Sequence, residues 1–328
     1  MKLKDFDYEL PKEAIAQRPV HPRDHAKLMV IDRNTGKIED KIFYEISDYL
    51  NPGDLLILNE TKVIHARLLG NKPTGAHIEV FLLKKIGYRT WHTLVRPGSK
   101  VKEGTEVIFG GAKGKCTRHL KDGTRYFEFD VDDDELEKIG KVPLPPYITK
   151  PVDDPNDYQT VYANIPGSVA APTAGLHFTK ELLEKIKKIG VKILKVSLDV
   201  GLDTFKPIET EEVEAHKMHT EFYRMDEEVS KEIKNRNGKV FAVGTTVVRT
   251  LESWTKTGKL SGYTDLYIHS PYKFQIVDAL ITNFHIPKSS LIVLVSAFAG
   301  RELVMKAYKR ALNSGYRFFS FGDACLFL

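Results

Sequence analysis

Four histidines stand where proton-transfer chemistry could use them: His177 at the end of a run of small residues, His216 and His219 three residues apart, and His285 in Thr282-Asn-Phe-His-Ile-Pro. An imidazole changes charge closest to neutral pH, which suits a general acid or base. Glu221 and Asp323 are the carboxylates that could share this work. His216, His219 and Glu221 also resemble a metal-ligand pattern, because residues three apart share a face in a helix. No cysteine or further ligand follows at a suitable spacing, so no metal is expected. A histidine that merely satisfies local hydrogen bonds would look the same in sequence.

Two further segments look suited to holding a ligand. In Gly167-Ser-Val-Ala-Ala-Pro-Thr-Ala-Gly-Leu-His-Phe178, the small residues Ala171, Pro172, Thr173, Ala174 and Gly175 would let backbone amides approach a bound group, ahead of the positive end of a helix. A tight connection between packed elements would use the same residues. In Ala242-Val-Gly-Thr-Thr-Val-Val-Arg249, a strand ends in Gly244, Thr245 and Thr246 before a helix, a common ligand position in α/β sheets. Arg249, early in that helix, could grip a carboxylate or phosphate, or else make a surface ion pair. Asn283 puts a polar group at another element boundary.

The elements that must position these residues fall into two textures. Asp54-Leu-Leu-Ile-Leu-Asn59 reads as a buried strand after the turn Asn51-Pro-Gly53. Beyond Thr61 come short β-branched and aromatic runs, at Ile78–Leu83, Thr90–Val95, Thr105–Phe109, Lys115–Leu120 and Arg125–Asp130. Their rhythm, with turns at Pro97-Gly98, Gly110-Gly111 and Asp122-Gly123, indicates a small barrel or sandwich. The prolines of Lys141-Val-Pro-Leu-Pro-Pro146 end it. Helical periods then return: Thr179 caps a helix that stops at Gly190, Asp226 opens one ending near Gly238, and a last one spans Glu302–Leu312 before Gly315. Strands are expected at Val191–Val196, Lys239–Val243 and Leu291–Ser296. The expected architecture is an α/β body, residues 1–60 plus 152–328, carrying an inserted all-β, barrel-like domain at 61–151.

Composition narrows the function classes. The 328 residues are 42% hydrophobic and 28% charged, the balance of a chain that folds. Acids within Met1–Leu10 argue against a secretory signal. The longest apolar run, Leu291–Ala299, is about half of a membrane span. A cytoplasmic protein is therefore expected. The two cysteines, Cys116 and Cys325, have no partner spacing for a disulfide framework or a zinc site. The net charge of +5 would favour a polyanion if it were clustered.

Taken in order, the motifs resemble the S-adenosylmethionine:tRNA ribosyltransferase-isomerase family of queuosine biosynthesis. The resemblance runs from Asp5-Phe-Asp-Tyr-Glu-Leu-Pro11 to Phe319-Ser-Phe-Gly-Asp323. It is carried by Gly53-Asp-Leu-Leu-Ile-Leu-Asn-Glu-Thr-Lys-Val-Ile-His-Ala-Arg-Leu68, Pro143-Leu-Pro-Pro-Tyr-Ile148, Tyr158-Gln-Thr-Val-Tyr-Ala163, Ala170–Phe178, His216-Lys-Met-His-Thr-Glu221, Val243-Gly-Thr-Thr246 and Ile281-Thr-Asn-Phe-His285. It implies transfer and isomerisation of the ribosyl moiety of S-adenosylmethionine onto 7-aminomethyl-7-deazaguanine at the wobble position of tRNAs with GUN anticodons. Epoxyqueuosine forms, and adenine and methionine leave. S-adenosylmethionine is then a co-substrate, with no other cofactor or metal implied. The pattern departs at Asp199 and Asp203, where the resemblance leads one to expect His and Gly, and at Ser270-Pro271.

On this reading the acid and base come from His177, His216, His219, His285, Glu221 and Asp323, with the roles unassigned. The methionine carboxylate would meet the loop Ala171–Gly175 or Arg249. Leu176 and Phe178 would wall the adenine, and Tyr147, Tyr158 and Tyr162 would stack the target base. Thr245, Thr246 and Asn283 complete the expected substrate contacts. A conventional RNA methyltransferase is the main competitor, but no Gly-rich nucleotide loop follows Leu55–Thr61. A non-catalytic RNA-binding protein would leave the ligand-like loops without a use. The sequence does not fix the oligomeric state, and a monomer is the default expectation.

Overall fold

The computed structural model describes residues 1–201 and 207–328. Asp203 lies outside the described residues. Two compact units form: Met1–Thr61, Pro146–Ile165 and Ala171–Leu328 make the larger one, and Lys62–Pro145 with Pro166–Ala170 the smaller. Tyr147, expected with the β domain, belongs to the larger unit, and the small-residue loop is divided at Ala170.

Along the chain, β1 (Lys27–Ile31), β2 (Ile38–Ile42) and β3 (Leu55–Asn59) precede the short β4 (Thr61–Val63). The smaller unit then builds β5 (Arg67–Asn71), β6 (His77–Gly87), β7 (Thr90–Arg96), β8 (Glu106–Phe109), β9 (Ala112–His119), β10 (Arg125–Phe129) and the helix α1 (Asp133–Ile139). These six strands close an antiparallel barrel in the order β10-β7-β6-β5-β8-β9. Period-two alternation fills it: on β9, Ala112, Gly114 and Cys116 point inward while Lys113, Lys115 and Thr117 face solvent. Phe109, Phe127 and Phe129 occupy the interior, so no lumen is left for a ligand.

After the short β11 (Ile165–Ser168), the larger unit continues with α2 (Lys180–Lys188), β12 (Lys192–Leu198), β13 (Glu221–Met225), α3 (Glu227–Lys234), β14 (Val240–Val243) and α4 (Thr245–Thr257). It ends with β15 (Ser261–Thr264), β16 (Ala279–Asn283), α5 (Ser290–Ala299), α6 (Arg301–Asn313) and β17 (Ala324–Phe327). The nine-stranded sheet runs β15-β13-β12-β3-β14-β16-β17-β1-β2, with β12, β3, β14 and β16 mutually parallel at its centre. Strand β3 is buried throughout and feeds two cores, Leu55 and Ile57 on one face and Leu56 and Leu58 on the other. Helices α3 to α6 cover the first face; α2 and the 3-10 turn at Phe43–Tyr49 cover the second. This is a layered α/β body.

The expected helix starts hold at Thr179, whose hydroxyl accepts from the Leu182 amide, and at Asp226. Leu291–Ser296, expected as a strand, is instead part of α5. Ser289 caps it by accepting from the Ile292 amide, and Gly300 stops it at φ 85°. A helix buried on nearly every side shows no polar stripe, so its apolar run cannot be told from a buried strand by period. The segment at His216–Thr220 is irregular chain rather than helix, so the face-sharing argument for His216 and His219 fails.

Candidate active site in the larger unit

The carboxyl ends of β12, β3, β14 and β16 lie side by side, and the polar residues there organise a cleft. Asn59 terminates β3 and is fully buried. Its amide nitrogen donates to the Leu198 carbonyl at 3.2 Å and the Thr246 hydroxyl at 3.3 Å. Its oxygen accepts from the Leu198 and Thr61 amides at 3.3 and 3.1 Å. One side chain thus ties three chain ends together, a role the sequence reading missed. The signal was a single amide closing an otherwise apolar strand.

Next to it, β14 turns into α4 at Gly244, whose φ of 91° is costly for any side chain. The Gly244 amide donates to the Ile281 carbonyl at 2.8 Å, which fixes the turn against β16. The start of the 13-residue helix α4 therefore faces the cleft with its positive end. Thr245 and Thr246 are shared by two adjoining pockets, as is Leu291.

The first pocket encloses about 770 Å³ of open space, solvent at the mouth included, and is lined by His216, His219, Glu221, Arg249 and Tyr267 among others. Glu221 and Arg249 form a buried ion pair, their side chains 8% and 7% exposed. Arg249 also donates to the Leu266 carbonyl at 3.1 Å, and the Gly201 amide donates to Glu221 at 3.3 Å. Arg249 is therefore neither a surface pair nor a free anion receptor. The His216 ring packs edge-on against Tyr267, 5.3 Å between centroids. Partial burial and, secondarily, the nearby His219 lower its pKa below the ordinary imidazole value. Tyr267 has a buried hydroxyl without a hydrogen-bond partner among the described residues. An unpaired hydroxyl in a pocket wall is suited to a ligand, and nothing in the sequence singled it out. Asp199, just past β12, has its carboxyl pushed up to about 6 by desolvation, with Arg224 opposing and Glu221 reinforcing the shift.

The second pocket holds about 590 Å³ of open space and is more apolar, lined by Ala171, Pro172, Ala174, Phe284, Phe319 and Tyr147 among others. Thr173 donates to Asn283 at 3.1 Å, and the Asn283 amide in turn meets His177 Nε2 at 3.1 Å and the Phe319 carbonyl at 3.2 Å. His285 lines this pocket, its Nε2 2.8 Å from the Thr282 hydroxyl. Burial lowers His285 to about 3 and His177 to about 4, so both rings are neutral near pH 7.

Residues 3–327 match the sequence profile of a family described as queuosine biosynthesis protein. The chain belongs to this family. It is 53% identical to a protein of Halothermothrix orenii named S-adenosylmethionine:tRNA ribosyltransferase-isomerase, and 54% identical to one of the same name from Thermotoga petrophila, over the full length of each chain. The crystal structure of S-adenosylmethionine tRNA ribosyltransferase from Thermotoga maritima is 43% identical and aligns with a TM-score of 0.59, covering 99% of this chain and all of that one.

For this queuosine biosynthesis family member, the cleft gathers His216, His219, Glu221, Thr245, Thr246 and Arg249 in one pocket, and Ala171 to Ala174, Asn283 and His285 in the other. Other expected residues lie elsewhere. His177 is buried beneath the second pocket against Phe43, 4.9 Å between ring centroids. Phe178 is fully buried and Leu176 nearly so; neither walls a pocket. Phe284 and Phe319 are the aromatic residues that line the second pocket together with Tyr147. Tyr158 and Tyr162 are buried too, so neither ring face is open for stacking a base, whereas Tyr147 does reach the cleft. Gly175 serves packing: a Cβ there would lie 1.9 Å from the Tyr162 hydroxyl. Asp323 is a structural clamp, accepting from the amides of Lys27 and Arg317 at 3.0 and 2.7 Å and from the Arg317 guanidinium at 3.1 Å. Among the described residues, no group of three or more His, Cys, Asp or Glu is placed to hold a metal ion, and no helix is long and apolar enough to cross a membrane.

Proposed function

We propose that this chain transfers and isomerises the ribosyl moiety of S-adenosylmethionine onto 7-aminomethyl-7-deazaguanine at the wobble position of tRNA, giving epoxyqueuosine and releasing adenine and methionine. The observation that carries the reading is the two-pocket cleft at the sheet's carboxyl edge in a chain of this family. The proposal extends to tRNAs with GUN anticodons and to a monomer acting in the cytoplasm. S-adenosylmethionine is the co-substrate, and no metal or other cofactor takes part.

The two pockets suit the donor's two ends. The apolar pocket, with Ala171, Pro172 and Phe319, fits a flat adenine, and Asn283 and His285 offer polar contacts at its floor. The start of α4, with Thr245 and Thr246, suits the methionine carboxylate. The reaction requires removal of a proton beside the sulfonium, and an accessible, deprotonated imidazole is the fitting base. His216 meets both conditions, with His219 as its neighbour. Glu221, committed to Arg249, shapes the pocket's field rather than carrying the proton. The Tyr267 hydroxyl is the donor left over for the substrate.

Isotopic labelling tests the reading. Ribose-labelled S-adenosylmethionine should pass its label to precursor tRNA, with free adenine appearing in step, while methyl label stays with the released methionine. Methyl label in the RNA without adenine release would instead establish a methyltransferase.

A further inference from the structure

Charge is divided unevenly between the two units. Residues 62–145 carry 16 Lys and Arg against 11 Asp and Glu, so the barrel accounts for the whole excess of +5 and the rest of the chain is neutral. Within the barrel the two signs separate by end. Because its strands run antiparallel, the turns 72–76, 97–105 and 120–124 lie at one end, and the turns 88–89 and 110–111 at the other, along with segment 130–141. The second end holds Asp130, Asp132, Asp133, Asp134, Glu135 and Glu137 against Arg89, Lys138 and Lys141. The first end presents Lys72, Lys100, Lys102 and Lys121 in its loops against Glu103 and Asp122, and Arg96 and Arg118 on the adjoining strand ends, where Glu79 and Glu106 are paired with Arg67 and Lys113.

This basic rim is held in place rather than merely composed. The buried guanidinium of Arg125 donates to the Val101 and Gly98 carbonyls at 3.0 and 2.7 Å and to the Gly123 carbonyl, clasping the loop 97–105 to the turn 120–124. Lys72 Nζ donates to the Lys100 carbonyl at 3.0 Å, which ties in the third turn. Among the described residues, no carboxylate lies within ion-pair distance of Arg96, Lys100, Lys102, Arg118 or Lys121, whereas Lys85, Lys113 and Lys138 are paired. An open groove lined by Asn71, His77, Arg96 and Pro97, with Glu79 committed to Arg67, runs along the wall beside the rim. Unpaired cations on braced loops lose little entropy on meeting phosphates and release counterions when they do.

We propose that this rim of the barrel is a phosphate-backbone docking surface for the tRNA substrate, a reading that rests on the proposed tRNA-modifying activity. It binds by charge and shape without reading bases.

The test compares Lys100→Ala/Lys102→Ala/Lys121→Ala, all exposed loop positions, with the control Lys113→Ala/Lys138→Ala. Binding of unmodified tRNA is titrated directly against salt, and steady-state constants are read separately. The triple variant should bind tRNA about a hundredfold more weakly near 0.1 M salt and lose about two units of log–log salt slope, as expected for about three lost phosphate contacts. Its KM for S-adenosylmethionine and its kcat at saturating tRNA should stay at the parent values, and the control should bind tRNA like the parent. Parent-like tRNA affinity and slope in the triple variant would overturn the proposal. So would equal weakening in the control. Failure of the parent to release adenine would count against the activity alone, because binding is read without turnover.

Discussion

The two pockets of the cleft use histidine in opposite ways. His285, with His177 beneath it, is buried and hydrogen-bonded to a threonine or an asparagine, and desolvation holds it neutral far below the usual imidazole range. His216 and His219 sit on irregular chain at the wall of the other pocket, with His216 lowered by partial burial and by His219. The first kind is committed to internal hydrogen bonds, whereas the second opens onto a pocket. On the proposed function, the same residue type divides into scaffold and chemistry by burial.

The sharpest way to break this comparison is to remove the charge pair in the polar pocket. Arg249→Ala should leave the buried Glu221 without its guanidinium, lowering stability by about 3–5 kcal/mol and abolishing turnover. Melting temperature and kcat/KM report it. The double variant Glu221→Leu/Arg249→Met should regain most of the stability while remaining inactive; recovery of turnover as well would reduce the pair to packing.

Next in size, His216→Ala should cut kcat about a hundredfold or more while leaving stability within about 0.5 kcal/mol. His285→Ala should do the reverse in emphasis, costing about 1–3 kcal/mol by orphaning the Thr282 hydroxyl. If both variants behave alike, the division between scaffold and chemistry collapses.

pH dependence sharpens the same contrast. His177 and His285 have folded pKa values of about 4 and about 3, below the unfolded value, so the unfolded chain binds more protons at low pH. Their neutral burial costs nothing above pH ~6.5, and stability falls on acidification from there towards pH 4 by about 1.4 kcal/mol per pH unit per group. His285→Gln should flatten the thermal-melting profile across that window. Activity should follow a different curve, its acidic limb centred below the ordinary imidazole value because His216 is lowered.

The smallest effect belongs to the loop of small residues. Gly175→Ala should destabilise by about 1–3 kcal/mol through its clash with the Tyr162 hydroxyl, and Tyr162→Phe in that background should return part of it. Full activity at saturating substrate in Gly175→Ala would confirm that this glycine packs rather than binds.

What could be read from sequence followed from local rules. The barrel's alternation, the Thr179 cap and the Gly244 turn each depend on neighbours within a few residues, and all stand where expected. What could not be read depends on burial by distant segments. The α5 run lacks a polar stripe because other elements surround it, and β17 is four residues made a strand only by β16 and β1 on either side. The site shows the same limit: Tyr158, Phe178 and Asp323 have chemically apt side chains, and only the packing around them shows that they face inward.

That last strand has a consequence for how the molecule comes into being. β1 and β2 join the central sheet only through β17, whose residues 324–327 are fully buried. Such pairing spans nearly the whole sequence, the slowest kind of contact to form. Until β17 is in place, the edge of β16 stays open and the β1–β2 pair is unattached to the sheet. Docking of β17, rather than any earlier pairing, is therefore the step that closes the nine-stranded sheet, and a variant in which β17 cannot pair would present an exposed strand edge for chaperones and proteases to find.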